Sequence, residues 1–174
     1  MKILGINHDM YITSAALLEN GAVVAACPEE RLSREKRSRA FPTKAIQFCL
    51  DKAGIDMAQV DCVANGYNPA VHLQKYNPIY SKHRRFRGDY LYSVQDHLFN
   101  FVDERESQEP DYLLQRVPLN SGKTLDTYYV THHLCHAANA FYLSPFEEAA
   151  ILTADGRGEQ DTAVFAVGRG SKIE

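Results

Sequence analysis

Residues 2–26 read KILGINHDMYITSAALLENGAVVAA, and this stretch decides the fold class. Its three short apolar runs predict three strands, at Lys2–Ile6, Thr13–Glu19 and Ala22–Ala26. Asn20 and Gly21 separate the second run from the third. Both central positions of a tight type I′ turn need positive φ, which asparagine and glycine adopt most easily. The chain is therefore predicted to open with a three-stranded meander that ends in a tight hairpin.

Helices and strands alternate after the meander. Phe41-Pro42-Thr43 is predicted to begin a helix that ends at Gly54, because the apolar residues between them recur at helical spacing. Two more helices are predicted, at Tyr90 to about Val102 and at His133–Tyr142. Four further strands are predicted at Val60–Ala64, Thr127–Thr131, Ala149–Ala154 and Thr162–Val167. The segments at 29–39, 67–88 and 103–120 are charged or polar without a clear period and are predicted to be irregular.

An internal repeat relates the two ends of the chain. A shift of 148 positions places residues 3–4 on 151–152, Asn7 on Asp155, and residues 14–17 on 162–165. Both copies predict a strand, a polar glycine-containing turn and a second strand. The whole order describes an α/β domain of the ribonuclease-H-like type, two of which in tandem form the fold of actin, sugar kinases and heat-shock ATPases. We therefore predict a first half at residues 1–148 and the beginning of a truncated second half at residues 149–174.

Composition excludes several classes of function. A net charge of −3 predicts no general attraction to nucleic acid or to a membrane surface. The apolar runs are far shorter than the roughly 20 residues of a membrane-spanning helix, and the first six residues are too short for a signal peptide. The four cysteines show no paired spacing, which is typical of buried thiols in a reducing cytoplasm. An unpaired sheet edge at the end of the chain predicts either self-association, and so a homo-oligomer, or mobile last residues.

The histidine-rich segment at residues 131–142 is the strongest candidate for chemistry. His132 and His136 are four residues apart and would project from one face of a helix, as metal ligands do. Asp155, at the end of an apolar strand, could supply a carboxylate. Two imidazoles and one carboxylate suit Fe(II) or zinc, and the alternative is a pair of surface histidines without a metal. His133 points elsewhere and is predicted to be structural or to support a ligand.

Two polar turns are candidate phosphate-binding elements. Asn7-His8-Asp9 precedes the small residues Ser14 and Ala15, whose backbone N–H groups could approach phosphate oxygens. The counterpart in the second copy is Asp155 followed by Gly156, Arg157 and Gly158. Each could equally be a polar turn without a ligand. Basic residues within 29–39 and 82–87 are typical of solvated loops and would also suit an anionic ligand.

Three blocks of the chain resemble the O-carbamoyltransferases of the nodulation and antibiotic-tailoring type. The first runs from Gly5 through His8-Asp9 and the serine–alanine run to Asn20-Gly21, although residues 10–13 separate the pair from that run. The second contains Glu29-Glu30-Arg31 and Phe41-Pro42. The third runs from His132 to Phe141 and on to Ser144-Pro145-Phe146. Members of this family are similar in their N-terminal module to the universal tRNA-threonylcarbamoylating protein.

The resemblance implies a specific reaction. Such enzymes use carbamoyl phosphate and ATP, with Mg(II), to make carbamoyl-adenylate in a C-terminal module, and then transfer the carbamoyl group to a hydroxyl of a small molecule. It implies Fe(II) or another divalent metal on His132, His136 and Asp155, with His8 and Asp9 near the reacting groups. The nucleotide contacts are predicted at the two polar turns, on Asn7, Ser14, Ala15, Gly156, Arg157 and Gly158.

Three alternatives stay open beside this reading. One is a tRNA threonylcarbamoyl-transfer protein, and another is a sugar kinase or ATPase of the same fold. The third is a fragment that binds ligand without catalysis. Because the C-terminal module lies beyond these residues, the isolated chain is predicted to be inactive.

Overall fold

A computed structural model describes residues 1–8, 12–68, 112–156, 158–159 and 161–174. Six strands form a mixed sheet: β1 (Lys2–Asn7), β2 (Ser14–Glu19), β3 (Ala22–Pro28), β4 (Cys62–Asn65), β5 (Tyr112–Pro118) and β6 (Thr124–Val130). A second, antiparallel sheet contains β7 (Glu148–Ala154), β8 (Ala163–Arg169) and β9 (Lys172–Ile173). The described helices are α1 (Glu29–Ser33), α2 (Thr43–Ala53), α3 (His132–Tyr142) and a short 3-10 helix (Met57–Gln59). The helix predicted at 90–102 lies outside the described residues, as does most of the segment at 67–88.

The opening meander has the predicted form. Asn20 and Gly21 have φ values of 51° and 86°, so both turn positions are left-handed and the chain reverses directly from β2 into β3. The strand order of the large sheet is β3-β2-β1-β4-β6-β5. β1, β4 and β6 are mutually parallel, so their carboxyl ends at Asn7, Asn65 and Val130 lie along one edge of the sheet.

The core of the large sheet lies under α2. Leu4 and Leu17 point to this face and are fully buried, and Cys49 of α2 packs against the same cluster. Burial of each leucine stabilises the fold by about 1.5–3 kcal/mol. The helix ends as predicted at Gly54, whose φ of 63° forms a left-handed C-cap. None of the helices in the described parts of the chain is long and apolar enough to cross a membrane.

Two segments predicted to be irregular are regular. Tyr112–Pro118 forms the edge strand β5, and Glu29–Ser33 forms one helical turn, α1. β5 is an edge strand, and such strands carry polar residues on their solvated face, so the apolar pattern that predicts a strand is weak in it. Its backbone hydrogen bonds are made with β6. Glu29 is buried, and its carboxylate accepts a hydrogen bond from the backbone N–H of Ala45, 2.8 Å away in the first turn of α2, which offsets the cost of burial.

The two opening hairpins have the same register, as the repeat predicts. Lys2 pairs with Glu19 and Ile6 with Ala15 in the first sheet. A shift of 148 residues gives Ala150 opposite Val167 and Ala154 opposite Ala163, the pairs observed between β7 and β8. α3 precedes the second hairpin in sequence and packs on it, with Phe141 against Gly168. The division of the chain at residues 148 and 149 stays a prediction.

Candidate metal centre

The histidine pair lies at the start of the helix that follows β6. Thr131 leaves the strand in extended conformation, and α3 begins at His132, one residue earlier than predicted. His132 and His136 are one turn apart and share a face of α3. That face is directed at the end of β7, where the strand finishes and Asp155 follows.

The three predicted ligands converge. His132 Nε2 is 2.9 Å from Asp155 Oδ2, and His136 Nε2 is 3.1 Å from the same oxygen. The two Nε2 atoms are 2.9 Å apart. Each ring nitrogen carries at most one hydrogen, so hydrogen bonds cannot fully satisfy all three sides of this triangle. A divalent ion about 2.1 Å from each of two ligands at right angles holds them about 3.0 Å apart. The donor set therefore fits a metal ion.

Charge and exposure also favour a metal. Hydrogen bonds from His132 and then His136, with a smaller contribution from the backbone N–H of Gly156, lower the pKa of Asp155 to about 2. The carboxylate is therefore ionised, as a ligand must be. His136 and Asp155 are 48% and 40% exposed, so further coordination positions would be open to substrate. Two nitrogens and one oxygen with open positions suit Fe(II) and also zinc.

Cys135, inside the same motif, is not part of the cluster. Burial raises the pKa of its thiol to about 11, and the charge of Glu159 adds to the rise. A thiol with this pKa stays protonated at neutral pH and is a poor metal ligand or nucleophile. Its Sγ lies 3.7 Å from where a Cβ would stand at Gly66, so it packs α3 against the end of β4.

His133 joins α3 to the turn between β7 and β8. It is buried, with Nδ1 2.7 Å from Thr153 Oγ1 and Nε2 2.9 Å from the carbonyl oxygen of Asp161. A carbonyl only accepts, so Nε2 carries the hydrogen. The ring leaves no room for a side chain at Gly158, where a Cβ would lie 2.7 Å from His133 Cδ2. His133 thus has the structural role that was one of its two predicted roles.

Glu159 is a residue that the sequence analysis missed. Its buried carboxylate accepts hydrogen bonds from the backbone N–H of Asn68 at 2.8 Å and of His132 at 3.0 Å. The second N–H belongs to the first residue of α3, where a negative charge is stabilised by the helix dipole. Thr131 forms no side-chain cap of its own. Glu159 therefore connects the exit of β4, the start of α3 and the turn after β7. No signal in the sequence marks this role, because Thr131 is itself a residue type that commonly caps a helix.

The predicted residues of the first turn lie at the carboxyl end of β1. The Asn7 side chain donates to the carbonyl of Ile12 at 2.8 Å, which shapes the turn, and the His8 ring packs edge-on against Phe41. Ser14 and Ala15 lie in β2, which pairs with β1 on one side and with β3 on the other, and the side chain of Ala15 lies in the core. Asp9 and Arg157 lie outside the described residues. Catalysis by His8 and Asp9 stays a prediction, as does nucleotide binding at Asn7, Ser14, Ala15, Gly156, Arg157 and Gly158.

Comparison with known proteins complements this geometry. The family model described as Carbamoyltransferase N-terminus matches residues 2–174. The uncharacterized protein sll1178 of Synechocystis sp. is 35% identical over 181 residues, which cover 98% of this chain and 28% of that protein. The nodulation protein NolNO of Sinorhizobium fredii is 34% identical over 173 residues, which cover 97% of this chain and 23% of that protein. The chain spans about a quarter of the length of these relatives.

Proposed function

The chain belongs to the carbamoyltransferase N-terminal family, and from that membership we propose that it is the N-terminal portion of an ATP-dependent O-carbamoyltransferase. The complete protein would transfer a carbamoyl group from carbamoyl-adenylate to a hydroxyl of a small molecule. A separate C-terminal module would make the adenylate from carbamoyl phosphate and Mg-ATP. The similarity to a nodulation protein over 97% of this chain supports this assignment.

The observation that carries the proposal is the convergence of His132, His136 and Asp155 within about 3 Å of one another. These residues would hold Fe(II) or another divalent ion. When bound, the ion supplies positive charge that neutralises and orients the phosphate of the adenylate. Glu159 and His133 fix the helix and the turn that carry the ligands, so the cluster is built on a rigid support.

The reaction itself needs few protein groups. The acceptor hydroxyl oxygen forms a bond to the carbamoyl carbon, the bond between that carbon and the phosphate oxygen breaks, and AMP leaves. The hydroxyl must lose its proton as the new bond forms, and we assign that proton to His8. His8 follows β1 at the same edge of the sheet that carries the start of α3, and the Phe41 ring limits the rotation of its imidazole.

The proposed architecture is a pair of ribonuclease-H-like halves, with residues 1–148 in the first and residues 149–174 beginning the second. The order β3-β2-β1-β4-β6, with β1, β4 and β6 parallel, supports the first half. The identical register of the β1–β2 and β7–β8 hairpins supports the duplication. Ligands of such folds bind between the halves, so the 174-residue chain should not catalyse transfer alone.

Radiolabelled carbamoyl phosphate tests the proposal in the complete protein. With Mg-ATP and a hydroxylated acceptor, carbamoyl-adenylate and carbamoylated product are measured separately. We expect Asp155→Ala and His132→Ala to abolish product while adenylate still forms. Glu148→Ala serves as the control, because it removes an exposed carboxylate from β7, the strand that Asp155 follows. Full transfer by the His132→Ala protein would contradict the proposal, and label transferred to tRNA would favour the threonylcarbamoyl alternative.

A further inference from the structure

Asn65, the last residue of β4, has a buried side-chain oxygen without a donor. Its Oδ1 atom is shielded from solvent and receives no hydrogen bond from any residue in the described parts of the chain. On the two neighbouring strands it stands beside Ile6 of β1 and Tyr129 of β6, which are 9% and 7% exposed. An unpaired oxygen in such surroundings costs free energy, so its presence calls for a functional reason or a bound molecule.

Asn65 lies at the edge of the sheet to which the proposed reacting groups are attached. β1, β4 and β6 are adjacent and parallel, and ligands of open α/β sheets bind at the carboxyl ends of such strands. β1 leads to His8, and β6 leads to α3 and so to His132. β4, which ends at Asn65, stands between them. The next residue, Gly66, lies against the thiol of Cys135 in α3, which ties this end of β4 to the helix of the metal ligands.

We propose that Oδ1 of Asn65 accepts a hydrogen bond from the NH2 group of the carbamoyl moiety during transfer. In the proposed reaction the carbamoyl carbon lies between the acceptor hydroxyl, whose proton goes to His8, and the phosphate, which the metal at His132 orients. The strand order β1-β4-β6 follows the same sequence of groups and brings β4 alongside the carbamoyl moiety. The NH2 group is the only hydrogen-bond donor of that moiety, and an amide oxygen accepts.

A buried acceptor at this position selects a carbamoyl donor over other acyl donors. An acetyl group has nearly the same shape but carries a methyl group in place of NH2, so it would leave the oxygen of Asn65 unpaired. Sites built to hydrogen-bond an N–H group discriminate strongly against analogues that lack it. Asn65 is therefore a specificity-determining residue for the donor. This inference rests on the transfer reaction proposed above.

Donor discrimination by the complete protein tests the assignment. Carbamoyl-adenylate and acetyl-adenylate are supplied in turn with the same hydroxylated acceptor, and kcat/KM is measured for each. Asn65→Leu keeps the branching of the side chain but has no acceptor, and it should lower the ratio of carbamoyl to acetyl transfer by about tenfold to a hundredfold. Asn65→Asp still accepts and should keep the ratio. Gln47→Leu removes an exposed amide from α2 and is the control, with no change expected.

The outcomes separate this inference from the proposed function. An unchanged ratio in an active Asn65→Leu protein would overturn the inference, because contacts of the oxygen with a water molecule, the nucleotide or the acceptor are common to both donors. A wild-type protein that transferred neither group would instead contradict the proposed function, on which the inference depends.

Thermal unfolding of the same proteins without ligand distinguishes a role in donor recognition from a role in the fold. Because no described residue donates to Oδ1, Asn65→Leu should leave the melting temperature unchanged or raise it. Asn7→Leu, at the end of the adjacent strand, is the matched comparison for stability. It should lower the melting temperature, because the Asn7 amide donates to the carbonyl of Ile12 at 2.8 Å. An equal fall for Asn65→Leu would show a structural role and would overturn the inference.

Discussion

Glu159→Ala should destabilise the chain more than the removal of an exposed carboxylate such as that of Glu148. Glu159 is buried and accepts from two backbone N–H groups, those of Asn68 and His132. A hydrogen bond to a charged group contributes about 1.5–3 kcal/mol. Alanine removes both acceptors and leaves the buried Asn68 N–H without this partner, whereas water can reach part of the start of α3. We therefore expect a loss of about 2–4 kcal/mol in the free energy of unfolding.

Urea denaturation of the 174-residue chain, followed by circular dichroism, measures this loss. The slope of the unfolding free energy against urea should stay unchanged while the midpoint falls. Glu159→Gln keeps one carbonyl oxygen and should lose about half as much. Glu148→Ala is the matched control, because the pair of Glu148 with Arg169 is exposed and contributes about 0–1 kcal/mol.

The same variants separate a structural role from a role in the metal centre. Glu159→Gln should also weaken binding of Fe(II) or Co(II) by about tenfold, since it loosens the turn of α3 that carries His132. The reasoning would be refuted if Glu159→Ala cost no more than Glu148→Ala. It would be refuted in part if stability fell while metal affinity stayed at the wild-type value.

Three further predictions concern the centre and its support. The double variant His132→Ala/His136→Ala, purified anaerobically, should lose the metal that the wild-type complete protein retains; equal metal content by elemental analysis would remove the site. Gly158→Ala should lower stability by about 1–3 kcal/mol in thermal unfolding, because its Cβ would meet His133 at 2.7 Å, whereas Gly156→Ala, with open space around it, should not; equal melting temperatures would contradict the packing. The pKa of Asp155 is lowered to about 2 in the fold, below its ordinary value near 3.9, so its ionised form stabilises the protein above about pH 4 and this contribution is lost as the pH falls toward 2. The stability difference between wild type and Asp155→Asn should shrink over that range, and a difference independent of pH there would argue against the contacts with the histidines.

Local pattern predicted much of the fold. The hairpin at Asn20-Gly21, the helix that ends at Gly54 and the helix after His132 each depend on residues that are neighbours in sequence. Turn conformation and helical spacing are short-range properties, and the sequence displays them directly. The repeat was also visible, and β7 pairs with β8 in the same register as β1 with β2.

The cluster of His132, His136 and Asp155 was predicted in part for the same reason. The spacing of His132 and His136 places both imidazoles on one face of a helix, independently of the tertiary packing. Whether Asp155 lies beside the two histidines depends on how α3 packs against β7. The spacing of residues in the sequence does not determine that packing. The structure decides it, with both nitrogens within 3.1 Å of one oxygen.

The sequence by itself determined the strands, turns and helices that short-range forces favour, together with the two histidines on one face of α3. Only the tertiary structure decided that β5 is a strand, because an edge strand takes its hydrogen bonds from β6. Only the tertiary structure showed that Glu29 and Glu159 are buried at the starts of α2 and α3. Both helices begin without a local side-chain cap. A buried N–H must find an acceptor, and here the acceptor comes from residues 16 and 27 positions away, a distance at which no local pattern operates.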